Sequence, residues 1–234
     1  MDKLTRKELK SDKFALEVQH SVEYVSRHRQ QMIRWAVPAV VVVLAVIGIF
    51  WYRNYRHDAR QEDLHAAMLV QNSTVGPSQS EYTVTFPTAE ARKTAVLKSW
   101  RDLAAKYPGT EEGAIAEYFL GTNSADEGNL ADAARHFQAA IDAGGGAYAS
   151  EAKLALAQVY AAQGKLNDGV KLLQSVIDHP TVLVSKDAAT LALADLIKSS
   201  DPKRAKQLVD PLRTSTRSAI SKAAITMEGA LAQQ

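Results

Sequence analysis

The chain has 234 residues and no cysteine, which excludes disulfides, thiolate metal sites and cysteine nucleophiles. Hydrophobic residues make up 46% of it, with only 12 Gly and 7 Pro, a balance that favours helices. Residues 1–34 hold eight Lys/Arg against five Asp/Glu and residues 53–234 hold twenty against twenty-one, so the basicity belongs to the beginning of the chain, and no basic stripe points to nucleic acid as a partner.

Residues 1–34 read as a basic tail. Thr5 and Glu8 have capping-box spacing, and Phe14, Val18, Val22 and Val25 recur on one helical face. An amphipathic helix on lipid or on a partner, and a solvated lead-in that only fixes topology, both fit this pattern.

Residues 35–52, from Trp35 to Tyr52, form an uninterrupted apolar run. Eighteen residues at ~1.5 Å each reach about 27 Å, close to the hydrocarbon thickness of a bilayer. Arg34 and Arg53 bracket it, and Trp35 and Trp51–Tyr52 place amphipathic rings at its ends. A transmembrane helix is expected. The run begins late in the chain and no small-residue cleavage site follows, so the anchor is expected to be retained. Three Arg flank each side closely. Lys3, Arg6, Lys7, Lys10 and Lys13 tilt the balance toward an N-terminus inside and a C-terminal domain outside. Pro38 predicts a kink or break where the helix enters the bilayer.

Residues 53–87 read as a linker helix, over about 54–71, and a loop. Gly76, Pro77, Ser78 and Ser80 break the helical pattern, and YTVTF is a candidate extended piece. A helix then ends sharply at Tyr107-Pro108-Gly109, and Glu111-Glu112 opens the next, where carboxylates favour the positive end of the dipole.

Residues 88–234 carry internal repetition. Leu120-Gly121 aligns with Leu156-Ala157, Gly128 with Gly164, Leu130 with Leu166, Ala133 with Gly169, and Phe137 with Leu173, all at an offset of 36 residues. The physical logic is a helical hairpin. Gly128 and Gly164 turn it, small residues let the helices approach, and Phe137 and Leu173 fill the space between units. Trp100, Leu103 and Pro108 fit the second helix of an earlier unit whose first helix is roughly 59–71. Leu193-Ala194 with Asp201-Pro202, Ala205 and Val209 outline a later unit, and a final helix over 218–232 would cover the open face.

These positions resemble the tetratricopeptide repeat (TPR) family, whose unit is two antiparallel helices in about 34 residues. The resemblance implies an all-α fold: a TPR-like α-solenoid of antiparallel helix pairs behind a single transmembrane helix. The layout of basic tail, span and repeats is also similar to the bacterial membrane-anchored TPR family that includes the ancillary subunit of the Sec translocon. That implies an inner-membrane protein with a periplasmic domain. Its expected partners are the translocon, emerging chains or other envelope clients, and periplasmic chaperones. An assembly scaffold for another envelope or secretion complex is the alternative.

No catalytic constellation stands out. The six His lack i,i+4 pairing or a converging carboxylate set, and Gly144–Gly146 lacks the Lys and strand of a phosphate loop. No enzyme activity, cofactor, metal or small-molecule substrate is expected. In the family, the second, fifth and ninth positions of each first helix line a concave face. Here the resemblance assigns these to Ile115, Tyr118 and Thr122, to Glu151, Leu154 and Gln158, and to Ala188, Leu191 and Asp195. No Lys, Arg or Asn is among them to grip a terminal carboxylate, so the expected occupant is an internal apolar or helical segment, or a partner's surface.

Overall fold

The computed structural model describes residues 34–35, 38–48, 51, 56–77, 83–144 and 146–232. The tail helix expected over residues 1–33 and the break expected ahead of Pro38 lie outside them. The chain forms two units, residues 1–58 and 59–234. In the first, residues 38–48 are helical, and their large apolar side chains are all more than half exposed, from 56% at Val40 to 62% at Leu44. Among the described residues no helix is long and apolar enough to cross a membrane. The span expected from Trp35 to Tyr52 is described only in part.

The second unit is helical throughout, apart from one insert. It opens with residues 59–71 of helix α1 (residues 56–71), and the insert holds two two-residue strands, β1 (Thr74–Val75) and β2 (Thr85–Phe86). These pair in parallel, Thr74 opposite Thr85 and Val75 opposite Phe86, so only the end of the YTVTF segment is extended and paired. The insert is fastened from below. Arg92 donates to the carbonyls of Ser73 (2.7 Å) and Gln71 (2.6 Å), and the Trp100 indole donates to the Gln71 side chain (2.8 Å).

The helices that follow are α2 (Ala89–Lys106), α3 (Glu111–Asp126), α4 (Leu130–Asp142), α5 (Gly146–Ala162), α6 (Leu166–Asp178), α7 (Lys186–Ile197), α8 (Pro202–Val209) and α9 (Ser218–Leu231), with a 3₁₀ turn over Asp210–Thr214. Their starts are written in the sequence. Thr88, Thr110, Asn129, Ser185 and Asp201 each accept a hydrogen bond from the backbone N–H three residues on.

The turns of the two aligned hairpins have the same construction. Gly128 (φ +75°) and Gly164 (φ +78°) adopt the left-handed conformation that a side chain disfavours. The N–H of Asn129 reaches back to the Ser124 carbonyl at 2.8 Å, and that of Lys165 to the Tyr160 carbonyl at 2.7 Å. Both closures are of the Schellman type, and they lie 36 residues apart.

Each helix packs on the next, and first helices also meet one another, α3 with α5 and α5 with α7. The core is therefore a series of clusters rather than one centre, as stacked repeats require. Trp100, fully buried, stacks on Phe119 at 4.5 Å and joins α1, α2 and α3. Phe137 (1% exposed) and Leu156 centre the next cluster. Leu173, Leu193 and Val209 centre the last, where Ala224 of α9 closes the stack.

The small residues do the work expected of them. A Cβ at Gly121 would fall 2.7 Å from the Phe137 ring, and one at Gly169 would fall 2.7 Å from the Ala157 carbonyl. The two units solve one volume problem in opposite ways. Where the second helix carries Phe137, the first yields with Gly121. Where the first carries Ala157, the second yields with Gly169 and fills with the smaller Leu173.

One buried charge was not expected. Glu112 opens α3, but it is 2% exposed and accepts hydrogen bonds from Arg60 (3.0 Å) and Gln61 (2.7 Å), so it ties α1 to α3. Burial alone would raise its pKa. Its own backbone N–H, the Gln61 amide and the Arg60 charge outweigh that and hold it below the usual carboxylate range.

Candidate functional site

A hollow of about 400 Å³ opens between α3 and α5. Tyr118, Thr122 and Asp126 stand on successive turns of α3. Ala155, Gln158 and Ala162 face them from α5, and Leu130, Phe137 and Val159 form an apolar floor. The floor is rigid. The Tyr118 ring lies 5.5 Å from Phe119, 5.9 Å from Phe137 and 5.5 Å from Tyr148, which ties α3, α4 and the start of α5 into one aromatic cluster.

The expected site residues divide. Tyr118, Thr122 and Gln158 come together in this hollow. Glu151 sits beside Tyr118. Burial pushes its carboxyl pKa up, and burial, with the nearby Glu151 charge, pushes the Tyr118 phenol up as well. Ile115 does not belong to the hollow. It is 6% exposed and packs into the cluster of Trp100 and Leu103, because α2 covers that end of α3. Leu154 is half-buried against Val176, Val184 and Ala189 at the joint with α7, and Ala188 packs on the same cluster. Leu191 is half-buried in the C-terminal cluster, and Asp195 is exposed and paired with Lys198 at 2.7 Å. Neither lines the hollow.

Tyr148, Asp126 and Leu130 join the site without having been expected. Asp126 and Ala162 were within reach of the sequence, since each continues the four-residue spacing of Thr122 and Gln158. Tyr148 follows a Gly-rich stretch that reads only as a spacer between repeats.

Chemically the hollow is an apolar and aromatic surface with the hydroxyl of Thr122, the amide of Gln158 and the carboxylate of Asp126 on its walls. Among the described residues no group of three or more His, Asp or Glu could hold a metal. His136, near Phe137, has its Nδ1 2.6 Å from the Glu117 carboxylate and is thus part of a structural pair between α3 and α4.

Stacked helix hairpins with small residues at the crossings and a groove along the first helices define an α-solenoid of the TPR-like class. The chain matches the tetratricopeptide repeat-like domain family over residues 33–212, most of its length, and belongs to that family. No curated protein matches the chain significantly, and neither does any solved structure. The family relation makes this a protein-interaction domain.

Proposed function

We propose that the protein is a membrane-anchored scaffold that holds a segment of another protein in the α3–α5 groove. The observation that carries this reading is the hollow itself. It is an apolar, aromatic floor open to solvent, with Tyr118, Thr122 and Gln158 converging on it from neighbouring first helices. The anchor rests on the run from Trp35 to Tyr52. Its described helical residues expose apolar side chains from Val40 to Ile47, a surface that calls for lipid rather than water. The excess of Lys and Arg in residues 1–34 supports a cytoplasmic N-terminus and a domain on the far side.

The finer reading rests on the layout of tail, span and repeats. It is an inner-membrane protein of a bacterium whose periplasmic domain serves the translocon, emerging chains or periplasmic chaperones. Affinity capture of the full-length chain from mild detergent tests it, with a Gln158→Trp variant that fills the groove run in parallel. Translocon subunits recovered with the wild type and lost with the variant support the proposal. Subunits of another envelope machine in their place would make it an assembly scaffold, and recovery indifferent to the variant would move the docking site elsewhere.

A further inference from the structure

The acidic groups of the groove differ from those of the other hollows. Between α1 and α2, Asp63 is bonded to Lys106 and Tyr107, and Asp102 to Lys98. In the C-terminal hollow, Asp187 accepts from Ser215. The α3–α5 groove has Asp126 and no Lys or Arg among its lining residues, and Glu151 stands at its edge, beside Tyr118 and one turn before Ala155 on α5; among the described residues neither carboxylate has a hydrogen-bond or ion-pair partner.

Both carboxylates also stand where the fold itself does not favour them. Glu151 is partly buried and pays desolvation without a counter-charge. Asp126 is the last residue of α3, at the negative end of the helix dipole, in a last turn with no basic residue. Beside Glu151, the Tyr118 ring packs edge-on against Tyr148. An aromatic face next to an unpaired carboxylate attracts a cation twice, through the ring quadrupole and through charge.

We propose that the occupant of this groove is an amphipathic segment of a partner protein that sets a Lys or Arg side chain between Glu151 and the Tyr118 ring and lays apolar side chains over Leu130, Phe137 and Val159. The inference rests on the groove being the docking site and adds the chemistry of what docks. Charge complementarity selects this occupant over an acidic or neutral segment, because a cation relieves the unpaired Glu151 more strongly than a neutral donor does, and an acid repels it.

The test uses the full-length chain in phosphatidylcholine nanodiscs, with empty discs as the blank, and three fluorescent helical peptides of about three turns. All carry the same leucine stripe. They differ only in a central pair that is lysine, norleucine or glutamate. The lysine peptide should bind about tenfold more tightly than the norleucine peptide, and the glutamate peptide weakest of all. Glu151→Gln should erase most of the lysine advantage, read as the ratio of the lysine and norleucine affinities, and added salt should weaken the lysine peptide more than the norleucine peptide. Gln158→Trp, with its helicity checked by circular dichroism, should weaken all three. If the three peptides bind alike and Gln158→Trp blocks them all, the groove stands and the cation preference is wrong. If the lysine peptide fails to bind, or the glutamate peptide binds best, the inference is overturned. If Gln158→Trp changes nothing, the groove itself is not the site.

Discussion

Gly121 and Phe137 form a pair whose energetics can be worked from the contact between them. The Phe137 side chain is buried in the repeat core, so Phe137→Ala should cost ~3–5 kcal/mol through lost burial and the cavity left behind. Gly121→Ala alone has two opposing effects. The methyl gains ~1 kcal/mol of helix propensity, but it would sit 2.7 Å from the ring, and overpacking of that kind costs ~1–3 kcal/mol. The net effect should be destabilising. In the Phe137→Ala background the ring is gone, the methyl has room, and the same Gly121→Ala change should stabilise. Thermal unfolding of the full-length chain followed by circular dichroism reads this as a change of sign. At about 2–4 °C per kcal/mol, Phe137→Ala should lower the midpoint by about 6–20 °C, and adding Gly121→Ala should recover part of that loss. An equal effect of Gly121→Ala in both backgrounds, or no effect of Phe137→Ala, would refute the assigned crossing of α3 and α4.

Further predictions concern charge and topology. Glu112→Ala should lower stability by ~1–3 kcal/mol, because it removes two hydrogen bonds to a buried carboxylate, while the exposed Gln61 and the partly exposed Arg60 can turn to water. Since the folded-state pKa of Glu112 is depressed, its contribution should be complete above about pH 4.5 and vanish as pH falls through the folded value, so wild type and Glu112→Gln should converge in melting temperature only in acid. Glu151 has the opposite sign. Its folded-state pKa is raised, so its charge destabilises the fold at neutral pH, and Glu151→Gln should melt at the same or a higher temperature than wild type there, the difference closing as pH falls below the normal carboxylate range. Protease added to spheroplasts should digest the repeat domain. Protection until lysis would reverse the orientation.

The hairpins were legible because stacking imposes volume rules at fixed positions. Gly128 and Gly164 must turn, Gly121 must yield to Phe137, and the 36-residue offset repeats those demands. What escaped depends on distant partners. Glu112 reads as an ordinary helix opener until Arg60, 52 residues earlier and across the insert, is seen beside it. Ile115 satisfies the spacing of a groove position, yet α2 covers that end of the helix, and spacing alone does not say how far a neighbour extends. Gly113 reads as a residue of no note. A side chain there would collide with the Tyr107 carbonyl, a contact set by how tightly the chain turns between α2 and α3. The groove was half legible: Tyr118, Thr122 and Gln158 follow from helical spacing, while Tyr148 enters only because its ring packs on Tyr118.

The central claim is that the α3–α5 groove is where a partner protein docks, and site-specific photocrosslinking in cells tests it most directly. A photoreactive residue at Thr122 or Gln158, inside the groove, is compared with one at Arg135 or Lys171, both exposed on the second helices. The account predicts discrete protein adducts from Thr122 and Gln158 that Arg135 and Lys171 do not give, and that Glu151→Gln diminishes. Equal adducts from all four positions, or adducts from Arg135 and Lys171 alone, would contradict it.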